Sequence, residues 1–288
     1  MGIAITESRA KSILTRTTGF LKSVCSHSLQ PYRGCSFGNA LCGVGCYVQH
    51  NRHLTRGEPW GSFLEARTNA AEVYRSQFPR EQRWGRRARQ SFSVFMSSST
   101  DPFVPQERRF RISQAVLESM LECPPDQLIL QTHTHGVVDT LDLIVALGRV
   151  CDLRVHLSIE SDLDRLPSLP APASSVDRRF EAAERLTRAG VRVVITVAPL
   201  LPMRDPRAFF ERVARCADAV VIDHFIGGDG SPDGWRSRRT ALPGAMSKID
   251  PASTALAYRD RMVEVACQIM PGRVGVSIDG FAGRLLPE

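Results

Sequence analysis

Cys35, Cys42 and Cys46 lie in one glycine-rich stretch, residues 31–47, separated by gaps of six and three residues. Thiolates spaced so closely are metal ligands more often than disulfide partners. A closed structural site takes four protein ligands, whereas three leave one metal position open. In a [4Fe–4S] cluster, an open iron is what S-adenosylmethionine needs, because its amino and carboxylate groups can chelate that iron. The sulfonium then lies beside a strong reductant. The alternative is that Cys25, ten residues upstream, closes the set into a structural site.

Other polar residues offer weaker chemistry. His133 and His135 alternate as two metal-binding imidazoles could, but one polar contact and one solvated ring is the commoner outcome. Asp223-His224 reads as an acid/base pair, or more plainly as a strand end. Asp162 and Asp164 read as loop-solvating carboxylates, and Gly227-Gly228-Asp229-Gly230 lacks the lysine of a phosphate loop. Arg178 and Arg179 read simply as the start of a helix, although one of them could reach a carboxylate at the mouth.

Arginine carries nearly all the positive charge of this 288-residue chain, whose net charge is +7; Lys11, Lys22 and Lys248 are its only lysines. Arg80, Arg83, Arg86, Arg87 and Arg89 surround Trp84 in what reads as a loop between a helix and a strand. Arg236, Arg238 and Arg239 follow Trp235 in a Gly/Pro/Asp-rich loop. Arginine beside an exposed ring can hold a phosphate backbone while the ring stacks on a base, so both groups are candidate DNA contacts. The bland reading is a solvated loop with its tryptophan tucked into the core. No apolar run is long enough to span a membrane, and residues 1–9 lack the core of a secretion signal. Eight cysteines point to a reducing compartment, so a cytoplasmic protein is expected, with monomer the simplest state.

These residues need a scaffold, and the hydrophobic pattern supplies one. Strand-like runs at Ser91–Met96, Gln127–Gln131, Arg154–Ile159, Arg192–Val197 and Ala219–Ile222 alternate with amphipathic stretches. The latter are Arg109–Glu122, Val137–Val150, Asp177–Ala189 and Pro206–Ala214. A short strand before Cys35 brings the count to six, and Glu65–Ser76 reads as the helix entering the second. Such alternation implies parallel strands with right-handed crossovers. An α/β partial barrel of six β/α units is expected, as one domain spanning residues 1–288. Chemistry then sits at the C-terminal strand ends. There the chain places the cysteine loop, Ser97–Asp101, Thr132–His135, Ser158–Glu160, Ala198-Pro199 and Asp223-His224.

The segments Ser158-Ile159-Glu160-Ser161-Asp162, Arg178–Ala183, Ala189-Gly190 and Val197-Ala198-Pro199-Leu200 resemble the spore photoproduct lyase branch of the radical S-adenosylmethionine enzymes. So do Ser99-Thr100-Asp101-Pro102 with the basic helix Arg108–Glu122, and Gln131-Thr132-His133. The resemblance covers roughly residues 28–226, leaving 227–288 as a C-terminal extension. It implies a radical S-adenosylmethionine type of (β/α)6 barrel, with Cys35, Cys42 and Cys46 on a [4Fe–4S] cluster and Tyr47 following the last ligand as a catalytic residue. It further implies that Thr100, His133, Ser158 and Glu160 hold the cofactor, and that Ala198 offers a backbone contact to the adenine.

Three departures bear on function. The cysteine gaps are six and three residues where the family has three and two, and Gly45 replaces the aromatic that precedes the last ligand. His133 stands in place of a lysine. Ser98 stands where the family has the cysteine that returns a hydrogen atom to the repaired thymine, and an O–H bond is far stronger than an S–H bond. Cys25 is then the only spare thiol expected near the mouth, with Tyr32 and Tyr47 as other possible donors. The expected activity is reductive cleavage of S-adenosylmethionine to a 5′-deoxyadenosyl radical acting on a DNA photolesion, with a low-potential electron donor as partner. The alternatives are the same chemistry on another substrate, and a nucleic-acid-binding protein with a structural cluster.

Overall fold

In the computed structural model, which describes residues 2–288, an eight-stranded sheet carries seven parallel strands. The first six are the expected ones: β3 (His27–Leu29), β6 (Ser93–Met96), β7 (Gln127–Thr132), β8 (Asp152–Ser158), β9 (Val193–Val197) and β10 (Ala219–Ile222). Their order in the sheet is their order in the chain. Right-handed crossovers that always step the same way put every helix on one face and curl the other inward. Two strands extend the sheet beyond the expectation. β11 (Val274–Val276) pairs with β10, and β2 (Leu14–Arg16) lies antiparallel to β3. β11 and β2 are the two edges and do not pair, so the barrel stays open.

Strand alternation sorts the side chains. Leu153, Val155 and Leu157 of β8 join Leu128 and Leu130 of β7 in the large core under the helices. The intervening Ile129 faces inward with Phe95, Val194 and Val221, in a smaller cluster completed by Val24, Cys25 and Phe281. Phe281 fills the interior from the chain's far end. Helix Ser277–Phe281 leaves the top of β11, turns inside, and sets the Phe281 ring 5.8 Å from Phe20 and 5.9 Å from His156. Burying such a ring contributes about 1.5–3 kcal/mol. The tail then runs back down, ending with Leu286 N–H donating to Val274 O.

The helices follow the pattern with shifted ends: Ile112–Glu122, Leu141–Leu147, Val176–Arg188 and Pro206–Cys216. Gly190, at φ +79°, stops the third of these as a left-handed cap. Two expectations are corrected. Glu65 is not helical but belongs to β5 (Phe63–Arg67), where Ser8 Oγ and Arg33 Nε each donate to its carboxylate at 2.7 Å. The helix runs instead from Ala70 to Arg89, so Arg80–Arg89 form helical turns and no loop. β5 pairs with β1 (Ala4–Ser8) and β4 (Tyr32–Gly34) in a separate three-stranded sheet that holds both ends of the cysteine loop.

Candidate active site

Gly34, at φ +82°, turns the chain out of β4 directly into Cys35. The loop folds on its glycines: a Cβ on Gly38 would lie 2.0 Å from Gly61 Cα, and one on Gly43 would lie 2.1 Å from Phe37 O. Bare backbone is therefore what lets the loop close. A short helix, Leu41–Val44, presents Cys42, and a 3₁₀ turn, Tyr47–His50, follows Cys46. Burial raises the Cys35 thiol to about 12 and the Cys46 thiol to about 11. It also lifts Cys42 well above its usual value, helped by the charges of Cys35, Glu160 and Cys46. Backbone N–H groups of Phe37 and Asp101 favour a thiolate at Cys35, and those of Val48 and Gln49 favour one at Cys46. Among the described residues, no three His, Cys, Asp or Glu side chains converge as a single metal ion requires.

The strand ends bring most of the other expected residues to the same mouth. Gln30 joins the cysteine loop to the turn after β6: its Nε2 donates to Ser98 Oγ at 2.8 Å, and its Oε1 accepts from the Ser99 and Thr100 N–H groups at 3.4 Å. Thr100 is buried. Asp101 accepts from Thr132 Oγ1 at 3.0 Å and from the His133 N–H at 2.7 Å, locking the turn after β6 to the one after β7. Its carboxyl is raised by burial, against the charge of His133.

His133 Nδ1 lies 2.9 Å from Glu160 Oε1, and Arg179 Nη1 donates to Glu160 Oε2 at 2.6 Å and to Ser158 O at 2.7 Å. Burial alone would raise Glu160, but Arg179 and His133 bring it down to about 2. His133 is lowered by burial and raised more by the hydrogen bond and charge of Glu160. Ser158 Oγ sits deeper, 2.9 Å from Thr196 Oγ1 and accepting from Gln131 Nε2 at 2.7 Å. Ala198, half-buried at the end of β9, borders the interior cluster.

The two histidines do not form a metal pair, for His135 turns its Nδ1 to Ser174 Oγ at 2.7 Å. His224 is structural: its Nε2 bonds Ser253 O and its Nδ1 accepts from the Ile226 N–H. Asp223 is raised by burial to about 6 and accepts from the Ser277 hydroxyl at 2.6 Å.

Cys25 is misplaced by the sequence reading. It lies at the N-terminal end of β3 inside the barrel, its thiol donating to Leu21 O, and burial raises it to about 12. It is therefore neither a fourth ligand nor a thiol at the mouth. Tyr32 is also buried, bonded to Glu107. Tyr47 remains at the rim, 37 % exposed.

The two arginine groups separate. Helix Ala70–Arg89 descends before β6 begins, so Arg83, Arg86 and Arg87 stand at the base of the barrel, away from the mouth. Arg86 pairs with Asp126 at 2.6 Å, and Arg16 covers the Trp84 ring at 4.1 Å. Trp235, Arg236 and Arg239 stand instead beside the cysteine loop, with Gly45 packed on Leu242 and the Trp235 ring 6.0 Å from His50. Sequence reasoning missed Gln30 and Thr196, and it named Asp101 and Gln131 only within motifs, without the bonds they make to partners remote in the chain.

No family model matches the chain, and no curated protein matches it. Solved structures do. A double mutant of spore photoproduct lyase with bound AdoMet and dinucleoside spore photoproduct superposes with a TM-score of 0.65 at 16% identity, covering 96% of this chain and 81% of that one. A second mutant, with the dinucleoside spore photoproduct, gives a TM-score of 0.63 at the same identity and coverage. The fold is therefore that of spore photoproduct lyase.

Proposed function

We propose that this chain is a radical S-adenosylmethionine enzyme related to spore photoproduct lyase, acting on a DNA photolesion. One observation carries the reading: three thiols with no fourth stand in one closed loop at the mouth of an open parallel barrel of that fold. Their chemistry fits a [4Fe–4S] cluster. Backbone N–H groups already favour thiolate at Cys35 and Cys46, and a bound cation offsets the burial that otherwise keeps the thiols protonated. A single tetrahedral zinc would draw its thiolates to within about 4 Å of one another, given Zn–S bonds of about 2.3 Å. A four-iron cluster binds each cysteine at a different iron and suits a wider set.

When bound, the cluster would supply the electron for reductive cleavage of S-adenosylmethionine, the source of hydrogen-atom abstraction from the substrate. The chain's residues position and shield. Cys35, Cys42 and Cys46 hold the cluster. Thr100, Ser158, and His133 steadied by Glu160 line the mouth with hydroxyl and imidazole groups for the cofactor's polar atoms, and Ala198 offers its backbone to the adenine. Asp101 and Gln30 fix the turns that carry them. Helix Leu242–Ile249 lies over the loop and excludes water.

Ser98 sits at the mouth under Gln30, and its O–H bond is too strong to return a hydrogen atom as a thiol does. The phenol of Tyr47 is the donor within reach of the rim. This substitution favours a second reading, the same chemistry on another substrate. Of the second arginine group, Arg236 and Arg239 are the candidate DNA contacts, since Arg238 lies over the Phe225 ring. A low-potential electron donor, a reducing cytoplasmic setting and a single 288-residue domain complete the proposal. No helix among the described residues is long and apolar enough to cross a membrane.

Anaerobic reconstitution tests it. About four irons per chain are expected, with 5′-deoxyadenosine formed on reduction with S-adenosylmethionine. Cys35→Ala, Cys42→Ala or Cys46→Ala should abolish both, while Cys25→Ala retains them. Loss of iron in Cys25→Ala equal to that in the others would sink the open-cluster reading.

A further inference from the structure

We infer that Trp235 is a stacking platform for one unpaired nucleobase at the rim of the mouth, with Arg236 and Arg239 placed for the flanking phosphates. The inference rests on the nucleic-acid reading above and specifies the form of the substrate: a single-stranded or extruded base. Trp235 is 41 % exposed although its surroundings are ordered. Asp229, itself buried, accepts from the Ser231 N–H at 2.9 Å and from the Ser237 N–H at 2.8 Å, which fixes the turn carrying the tryptophan. Gly234, at φ +72°, makes the last bend before it, where a Cβ would strike the Phe225 ring at 2.7 Å.

The surroundings of the ring favour a base over an apolar partner. His50 stands 6.0 Å away, and the guanidinium carbons of Arg236 and Arg239 lie 5.8 and 5.7 Å from the ring centre. Arg236 Nη1 also donates to Asp229 O at 3.2 Å, so it is held in place. Arg238 is turned away, over Phe225. A large ring with two cations within about 6 Å of its centre suits a planar group that carries anions beside it, as a nucleotide in a strand does. Trp84 provides the contrast: Arg16 stacks on it at 4.1 Å and it is half-buried, whereas the guanidinium groups at Trp235 stand 5.8 and 5.7 Å from the ring centre and leave it exposed.

The platform also lies at the right place. The 3₁₀ turn Tyr47–His50, which begins one residue after Cys46, is the element against which Trp235 packs. A base resting there is close to the reacting centre yet outside it. In a paired duplex both faces of each base are already stacked, so the platform can engage only a base removed from the stack.

Fluorescence anisotropy tests the inference with two dye-labelled probes, a single-stranded oligothymidylate and a fully paired duplex of equal length. Trp235→Ala should weaken binding of the single strand about tenfold or more. It should change duplex binding less than twofold, and Trp235→Phe should restore most of the loss. Unchanged single-strand binding in Trp235→Ala overturns the platform, and so does an equal loss on both probes or a failure of phenylalanine to rescue. Absence of 5′-deoxyadenosine from reconstituted wild type would instead sink the radical chemistry, while the binding comparison still decides the platform.

Discussion

Glu160 meets His133 at 2.9 Å and Arg179 at 2.6 Å, and the carboxyl and the imidazole make stability depend on pH in opposite directions. Its carboxyl falls from 4.5 to about 2 on folding, so its contribution is fully present above pH 4.5 and is lost as pH falls toward 2. His133 is raised on folding, so its contribution is present below pH 6.5 and is lost as pH rises through its folded value. Urea unfolding across pH should therefore show an acid decline below pH 4.5, to which Glu81, likewise held down to about 2, also contributes. Glu160→Gln should make that decline shallower by the part that belongs to Glu160. At pH 7, Arg179→Met should cost about 3–5 kcal/mol, because it strips a buried carboxylate of its stronger partner. The double variant Arg179→Met/Glu160→Gln should recover much of that loss. A cost below about 1 kcal/mol for Arg179→Met would mean that the carboxylate finds solvent and that the network does not hold the mouth.

The cysteine loop depends on three glycines more than on any side chain. Gly38, Gly43 and Gly61 let backbone meet backbone, and a methyl group on Gly38 has nowhere to go. Gly38→Ala should cost about 1–3 kcal/mol as overpacking and should at least halve iron uptake. Gly244→Ala, in helix Leu242–Ile249 with nothing within 4 Å, should leave iron uptake intact and stabilise by about 0.5–1 kcal/mol. Melting temperature and iron per chain read both, and normal iron in Gly38→Ala would refute the close-packing account. How much of this was legible follows from how local each signal is. Most of the strands show in the sequence because they are buried on both faces: β6, β9 and β10 at every position and β7 through Leu128–Leu130, while β8 shows instead as an alternation of Leu153, Val155 and Leu157 with polar residues. Helix Ala70–Arg89 does not, because Pro79 reads as a stop worth about 3 kcal/mol. The helix nonetheless continues, with Tyr74 OH bonded to Cys123 O on one side of Pro79 and Arg86 to Asp126 on the other. The sheet of β1, β5 and β4 was equally hidden, since its pairs join segments far apart in the chain. The same holds for Gln30, for the partners of Asp101, and for Cys25, which sequence puts beside the mouth and the barrel puts at its base.

The whole molecule is polar along the barrel axis, and this decides which arginines can serve the mouth. β8 has seven residues, so about 20 Å separates mouth from base at roughly 3.3 Å per residue. The Debye length at physiological salt is only about 8 Å, which screens a cation at one end from a phosphate at the other. Arg83 and Arg87 at the base and Arg236 and Arg239 at the rim are thus two independent groups, although sequence alone presents them as one pattern. Removing either pair lowers the net charge of +7 by the same amount, so long-range attraction changes equally in both variants. Any difference between them then reports direct contact. For a duplex carrying a photolesion, Arg236→Ala/Arg239→Ala should reduce the slope of log K against log salt by about 1.8, two phosphate contacts at about 0.9 each. Arg83→Ala/Arg87→Ala should leave the slope within about 0.3 of wild type, as peripheral charges do when no phosphate is released. The opposite result would place the nucleic acid on the base of the barrel, where Arg16 and Arg80 line a groove with Arg83, Arg87 and Trp84. The mouth would then serve a substrate other than DNA, in keeping with the serine at position 98.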